Sequence, residues 1–182
     1  NLILVLKNKR RYLSKNNSNF KRLNFLKNEF SNSKILIIYR EPNNHSASLL
    51  RQHLRFLDIH KKDKFILKYM KYLGHYEFGL IHKSWFNSIK YNHPGHTEYW
   101  LEQWFLFYDF LLKNINENCI LINYEDLCKN EVKKNLFKIL ELEESENLYE
   151  YKNNNKEFKN ENSEIIEKCN QIYSELNKIS FK

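Results

Sequence analysis

The sequence predicts an α/β fold in which helices flank a parallel sheet and helix predominates. Two uninterrupted apolar runs of strand length, "ILIIY" at 35–39 and "CILINY" at 119–124, carry that prediction. Runs without alternation are typical of strands buried on both faces, as in parallel sheets. Long segments of helical periodicity lie between and after them, which favours an α/β arrangement. With only 3 Gly and 2 Pro, the chain does not suit an all-β protein with many tight turns.

Helical patterns surround the first strand. The segment 16–30 has apolar residues at helical spacing, and either Asn17 or Ser18 can serve as its N-cap. After the strand, Pro42 suits the first turn of a helix, where its missing N–H costs nothing. Further helices are predicted at 64–73 and from Thr97, a plausible N-cap. The tail "SEIIEKCNQIYSEL" is amphipathic and predicts a last helix.

Length and composition place all 182 residues in a single domain, 1–182, with no visible linker or repeat. The chain does not begin with Met and opens in the middle of a pattern, so we expect a fragment truncated at its amino terminus. Three widely spaced cysteines disfavour a zinc site or a disulfide framework, so we expect no metal. They also suggest a reducing, cytoplasmic location. No run is long enough to predict a membrane span.

The net charge of +8 is compatible with nucleic acid, a membrane surface or a small anionic ligand as partner. Lysines and arginines are spread along the chain among acidic residues, apart from short clusters such as "KNKRR" and "HKKDK". A solvated surface is the ordinary reading of such clusters. No nucleic-acid-binding motif accompanies the charge, so we expect no nucleic-acid partner.

Arg40 stands where the first predicted strand ends and a helix begins. Ligands of open α/β sheets bind beyond the carboxyl ends of the strands. The first N–H groups of a helix lack intrahelical partners and favour anions, and a guanidinium can hold a phosphate through two hydrogen bonds. Ser48 follows eight residues later, and its hydroxyl is a candidate for the same anion. Alternatively, Arg40 pairs with a carboxylate such as Glu41 or Asp126, and Ser48 is an ordinary helix residue.

The segment "YREPNNHSASLLRQH" at 39–53 resembles the 3′-phosphate-binding segment of the sulfotransferases that use 3′-phosphoadenylyl sulfate (PAPS). In that family a strand is followed by Arg, one residue, Pro, and a Ser eight residues beyond the Arg. Arg40, Pro42 and Ser48 match this pattern. "LINYEDLCKN" is similar to the strand and loop whose tyrosine contacts the nucleotide, which corresponds to Tyr124. Similarity to a bacterial branch of the family extends over most of the chain, through "YMKYLGHYEFGLIHK", "YWLEQWFLFYDFLL" and "QIYSEL".

The resemblance implies a P-loop NTPase-like sheet and transfer of a sulfuryl group from PAPS to a hydroxyl or amine of a small molecule or glycan. It further implies that Arg40 and Ser48 hold the 3′-phosphate and that Tyr124 positions the nucleotide. The family's phosphosulfate loop, a segment with Gly, Ser or Thr and a basic residue after the first strand, has no counterpart here, because no glycine follows an apolar strand. We therefore expect little or no activity from the chain as it stands.

The general base is open at this level. His75, His82, His93 and His96 lie in or near a glycine-flanked loop, and His75 and Glu77 in "GHYEFG" are the candidates for the acceptor side. His53 is expected to pack within its helix or to hydrogen-bond its neighbours. The alternatives to a sulfotransferase are a basic nucleic-acid-binding domain, a P-loop kinase-like nucleotide enzyme and an inactive interaction domain.

Overall fold

The computed structural model describes residues 11–87, 89–143 and 163–182. In these ranges the chain forms α1 (Leu23–Glu29), β1 (Ile35–Tyr39), α2 (Pro42–Lys62), α3 (Lys64–Leu73), α4 (Thr97–Leu112), β2 (Cys119–Asn123), α5 (Asn130–Ile139) and α6 (Ser163–Ile179). Short 3-10 turns occupy Asn17–Arg22, Gly79–Ile81 and Asp126–Cys128. Of the helices in these ranges, none has both the length and the apolar character needed to cross a bilayer.

The two strands pair in parallel, with Ile35 beside Cys119 and Tyr39 beside Asn123. The ladder continues one residue further, because the Tyr124 N–H donates to the Tyr39 carbonyl at 2.8 Å. Three helices, α2 to α4, connect the strands, as a parallel pair requires a crossover. The predicted helix-rich α/β fold with parallel strands is therefore confirmed. The more specific P-loop-like topology stays a prediction.

The two faces of this small sheet differ in how well they are covered. One face packs on α4 and α6 in a core that includes Tyr39, Leu101, Trp104, Leu111, Leu121, Cys169 and Leu176. On the other face, Ile122 packs with Leu136 of α5 and with Phe181. At β1 this face is open, since Leu36 is 39% and Ile38 51% exposed. The expected burial of "ILIIY" on both faces is wrong within the described ranges, because the α5 cluster covers the β2 side only.

The helix boundaries follow from local capping. Pro42 is buried at the first position of α2, as predicted. Asp63 caps α3 by accepting from the N–H groups of Phe65 and Ile66, and Gly74 ends that helix at a left-handed φ of 74°. Two predicted caps are wrong. Asn16 accepts from the Ser18 N–H ahead of the 3-10 turn, and Thr97 is the first residue of α4 rather than its cap.

Candidate functional site

Arg40 and Tyr124 lie side by side at the carboxyl edge of the sheet. Each follows directly after a strand, and the register that pairs Tyr39 with Asn123 brings the next residues together. The Arg40 guanidinium carbon is 5.1 Å from the centre of the Tyr124 ring, within cation–π distance. Two of the residues implied by the sequence are therefore adjacent, on the side where α/β sheets bind ligands.

Glu125 places a carboxylate beside Arg40. Its Oε1 lies 3.8 Å from Arg40 Nε, and the side chains of Arg40 and Glu125 are 20% and 27% exposed. This separation exceeds hydrogen-bond length, so the pair is loose. The alternative that Arg40 pairs with a carboxylate is therefore met by Glu125. The two carboxylates named from sequence make other contacts: Glu41 accepts from backbone N–H groups of α2, and Asp126 pairs with Lys129 at 2.6 Å.

The start of α2 is already capped by the chain itself. The Glu41 carboxylate accepts from the Asn43 N–H at 3.0 Å and from the Asn44 N–H at 2.7 Å. These are the groups that the sequence suggested for a phosphate. Because a carboxylate occupies them, an anion bound near Arg40 would sit beside the helix rather than on its end.

Several polar atoms around Arg40 are buried without a hydrogen-bond partner among the described residues. They are Asn43 Oδ1, His45 Nδ1 and both carboxylate oxygens of Glu125. Burial, reinforced by the charge of Arg40, lowers the pKa of His45 to about 4. His45 is thus neutral at pH 7. Buried polar atoms without partners are rare in native proteins and call for an explanation such as a bound ion or ligand.

Ser48 lies in the second turn of α2 and is half-buried. It follows Pro42 by six residues, which is an axial rise of about 9 Å. An anion in contact with both Arg40 and Ser48 would therefore lie along the flank of the first two turns of α2. The role of Ser48 stays a prediction.

His75 and Glu77 are brought together, but far from Arg40. His75 Nδ1 is 3.6 Å from Glu77 Oε2, and His75 is exposed. The neighbouring Phe78 stacks on Phe56 of α2, with ring centres 6.2 Å apart. Since Phe56 follows Pro42 by 14 residues, this loop packs roughly 20 Å along α2 from its start. Their role as general base stays a prediction.

A histidine clamp, formed by His53 and His60 of α2, is the feature that sequence reasoning missed. The Gly79 N–H donates to His53 Nδ1 at 3.3 Å, and the Leu80 N–H donates to His60 Nδ1 at 3.2 Å. His60 Nε2 contacts Met70 Sδ at 3.1 Å. Both histidines are buried, so the clamp holds the turn at 79–81 against α2. The signal was present: Ser46, His53 and His60 recur at seven-residue intervals, which is one helix face.

His82 extends this polar cluster towards α4. Its Nε2 lies 2.6 Å from the Tyr99 hydroxyl, and its ring centre is 5.2 Å from that of His53. Burial, with a contribution from His82, lowers the pKa of His53 to about 4, and burial also lowers the pKa of His82. Both rings are therefore neutral at pH 7, and the sequence expectation that His53 serves packing agrees with its buried position.

Within the described ranges, no group of three or more His, Cys, Asp or Glu side chains is placed to hold a metal ion. Comparison of the chain with family models, with curated proteins and with solved structures finds no match.

Proposed function

We propose that this chain is the nucleotide-binding part of a PAPS-dependent sulfotransferase, with Arg40 as the ligand of the 3′-phosphate. The observation that supports the proposal is the pairing of Arg40 and Tyr124 beyond two adjacent parallel strands, 5.1 Å apart. A guanidinium beside an aromatic ring suits a nucleotide, because the guanidinium takes a phosphate and the ring takes a base or sugar. The nucleotide is proposed to be PAPS because the segments 39–53 and 121–130 resemble the nucleotide-binding segments of that family.

In this proposal the 3′-phosphate lies beside the first two turns of α2. Arg40 supplies charge-assisted hydrogen bonds, and Ser48 donates its hydroxyl from the second turn. His45 is neutral at pH 7 and offers one ring nitrogen without a partner among the described residues. The Glu41 cap keeps the phosphate off the helix axis, since its carboxylate holds the amides of Asn43 and Asn44.

In the ligand-free protein, Glu125 lies beside the guanidinium that the phosphate would bind. Its carboxylate approaches Arg40 to 3.8 Å, so a bound phosphate would compete with it for the guanidinium. No hydrogen bond joins the two side chains, so a bound phosphate can displace Glu125 from the guanidinium. Replacement of Glu125 by neutral Gln removes the competing charge and should strengthen phosphate binding.

The reaction is sulfuryl transfer to a hydroxyl or amine of a small molecule or glycan. An acceptor oxygen or nitrogen forms a bond to sulfur while the bond from sulfur to the 5′-phosphate oxygen breaks, and the acceptor proton passes to a base. Positioning and positive charge on the leaving phosphate are the main requirements. His75 and Glu77 serve as that base only if the acceptor lies far along α2 from Arg40.

Isothermal titration with adenosine 3′,5′-bisphosphate tests the assignment of Arg40. Arg40→Ala should weaken binding about 10- to 100-fold, which is the loss expected for hydrogen bonds to a charged group. The matched control is Arg55→Ala, an exposed arginine of the same helix, which should leave binding unchanged. Adenosine 5′-monophosphate, which lacks the 3′-phosphate, should bind weakly to all three proteins.

Other outcomes of the titration favour the alternatives. Binding of ATP in preference to the bisphosphate would point to a kinase-like nucleotide enzyme. Binding of random-sequence RNA with a steep dependence on salt, without a response to the bisphosphate, would point to a nucleic-acid-binding domain. Equal loss of bisphosphate binding in the Arg40 and Arg55 variants would show a general charge effect and would refute the proposed site.

A further inference from the structure

Helix α3 (Lys64–Leu73) carries a large exposed surface. Among the residues that the structure describes in this helix, none is fully buried. Its inner side holds Ile66, Leu67 and Met70, which are half-buried, and Met70 contacts His60 of α2. The remaining residues of the helix face solvent. Because the helix is strongly amphipathic but little buried, part of its apolar surface is exposed to solvent and needs an explanation.

The outer surface of α3 is aromatic at its centre. Phe65 is 73% exposed, Tyr69 52% and Tyr72 87%, and Leu73 is 46% exposed. These residues are spaced by four, three and one positions, so they form one stripe along the helix. The rings of Phe65 and Tyr69 stack on each other at 5.9 Å and 9°. Exposed aromatic residues grouped in this way mark an interaction surface rather than scattered surface residues.

Lysines run along one flank of the aromatic stripe. Lys64, Lys68 and Lys71 recur at helical spacing, and Lys61 and Lys62 end the preceding helix. The acidic residues nearby are already engaged: Asp58 pairs with Lys62 at 2.8 Å, and Asp63 caps α3. The surface is therefore positive as well as aromatic, which gives it charge complementarity to an anionic partner.

We infer that α3 docks the protein on an anionic lipid bilayer. A helix with aromatic residues on one face and lysines beside them lies in the headgroup region, where the rings enter the interface and the lysines meet anionic headgroups. The alternative partner, single-stranded nucleic acid, needs open ring faces on which bases stack. Phe65 and Tyr69 stack on each other, which covers part of one face of each ring, and Leu73 adds an aliphatic contact that bases do not need, so the bilayer fits this surface better.

Vesicle pelleting tests the surface directly. The protein should pellet with vesicles of phosphatidylcholine and phosphatidylglycerol, and not with phosphatidylcholine alone. Lys68→Gln should weaken this binding about fivefold, since each lysine near an anionic surface contributes on that scale. Tyr72→Ser should weaken vesicle binding about tenfold, because it removes an aromatic ring that would be buried in the bilayer interface. Tyr72 is 87% exposed, so the variant should keep the wild-type thermal midpoint.

Matched controls come from elsewhere on the surface. Phe25→Ser on α1 and Lys134→Gln on α5 replace an exposed aromatic residue and an exposed lysine, and both should bind vesicles like the wild type. Equal pelleting with neutral and anionic vesicles, or equal losses in the control variants, would overturn the inference. So would capture of single-stranded RNA by a surface that Tyr72→Ser disables while vesicles stay unbound. None of these outcomes depends on Arg40 or on nucleotide binding.

Discussion

The two halves of α2 treat buried polar groups in opposite ways. In the second half, His53 and His60 accept hydrogen bonds from the Gly79 and Leu80 N–H groups. At the first half, Asn43 Oδ1, His45 Nδ1 and both oxygens of Glu125 are buried without hydrogen-bond partners in the described part of the chain. In the second half the ring nitrogens of His53 and His60 hold the turn at 79–81, although His82 Nδ1 beside them has no hydrogen bond in the described ranges. Near Arg40, none of the buried polar atoms named above has such a bond.

This difference distinguishes a structural cluster from a ligand site. A buried acceptor without a partner destabilises the folded state by about 1–3 kcal/mol, so selection for stability alone removes it. A ligand with hydrogen-bond donors, such as the hydroxyl and amino groups of a nucleotide, would supply partners for the Asn43 and Glu125 oxygens, whereas its phosphate only accepts. Clustered buried histidines are often catalytic, but the hydrogen bonds of the histidine clamp are those of a structural element. The Arg40 region instead has buried polar atoms without hydrogen bonds in the described ranges, as expected of a ligand site.

The largest effect should come from Gly79, which the histidine clamp holds. Gly79 has a left-handed φ of 78°, and a Cβ there would lie 2.4 Å from His60 Nδ1 and 2.6 Å from His60 Cε1. Gly79→Ala therefore combines backbone strain with displacement of a buried ring. We expect it to lower the free energy of unfolding by about 3–5 kcal/mol in urea denaturation.

Gly74→Ala is the matched control for this substitution. Gly74 has a similar φ of 74°, but a Cβ there would meet nothing within 4 Å. Its cost should be the backbone strain alone, about 1 kcal/mol. Equal losses from the two alanines would show that the histidine clamp does not restrain the turn.

The clamp should also make stability depend on pH. The pKa of His53 falls from 6.5 to about 4 on folding, so between these values the unfolded chain binds more protons than the native one. The stability due to neutral His53 is complete above pH 6.5 and is lost as the pH falls towards 4. The loss should be about 3 kcal/mol by pH 4, followed by urea unfolding.

His53→Gln isolates this contribution from that of other buried histidines, because Gln also accepts from the Gly79 N–H but does not titrate. The stability difference between wild type and variant should be largest at pH 7 and shrink as the pH approaches 4. A difference that stays constant with pH would mean that His53 is not the titrating group.

The buried Glu102 and the partly buried Glu125 differ in their hydrogen bonds, and we expect a smaller difference in stability from replacing them. Glu102 accepts from the Lys90 N–H at 2.8 Å and from the Tyr91 N–H at 2.7 Å, whereas neither oxygen of Glu125 has a hydrogen bond in the described ranges. Glu102→Gln should therefore lower stability by about 2 kcal/mol, since an amide accepts on one side only. Glu125→Gln should change it by less than about 1 kcal/mol. Thermal melting of the two variants without ligand measures both changes in stability. Equal losses of stability would contradict the different roles given to Glu102 and Glu125.

The sequence predicted the elements of the fold well. Apolar runs placed both strands, and Pro42 and the apolar spacing placed α2 and α3, because these signals are local. The second face of β1 was misjudged because its cover depends on which elements pack there, and α5 reaches only the β2 side. The caps Asn16 and His96 were missed because several polar residues compete at each helix start.

The candidate site was predicted in part. Arg40 and Tyr124 were each named from the sequence, and they are adjacent in the structure because residues after paired parallel strands share an edge. Glu125 and the Glu41 cap were not predicted, because side-chain direction decides which of three nearby carboxylates faces Arg40. The histidine clamp was missed because hydrophobic periodicity ignores polar residues, although Ser46, His53 and His60 keep helical spacing.

The most direct test of the central claim is the affinity of Glu125→Gln for adenosine 3′,5′-bisphosphate, measured by calorimetry beside wild type and Arg40→Ala. If Arg40 holds the phosphate and Glu125 competes for the guanidinium, Glu125→Gln should bind several-fold more tightly and Arg40→Ala far more weakly. Unchanged affinity in both variants would contradict the account, because the ligand would then bind away from the carboxyl edge of the sheet.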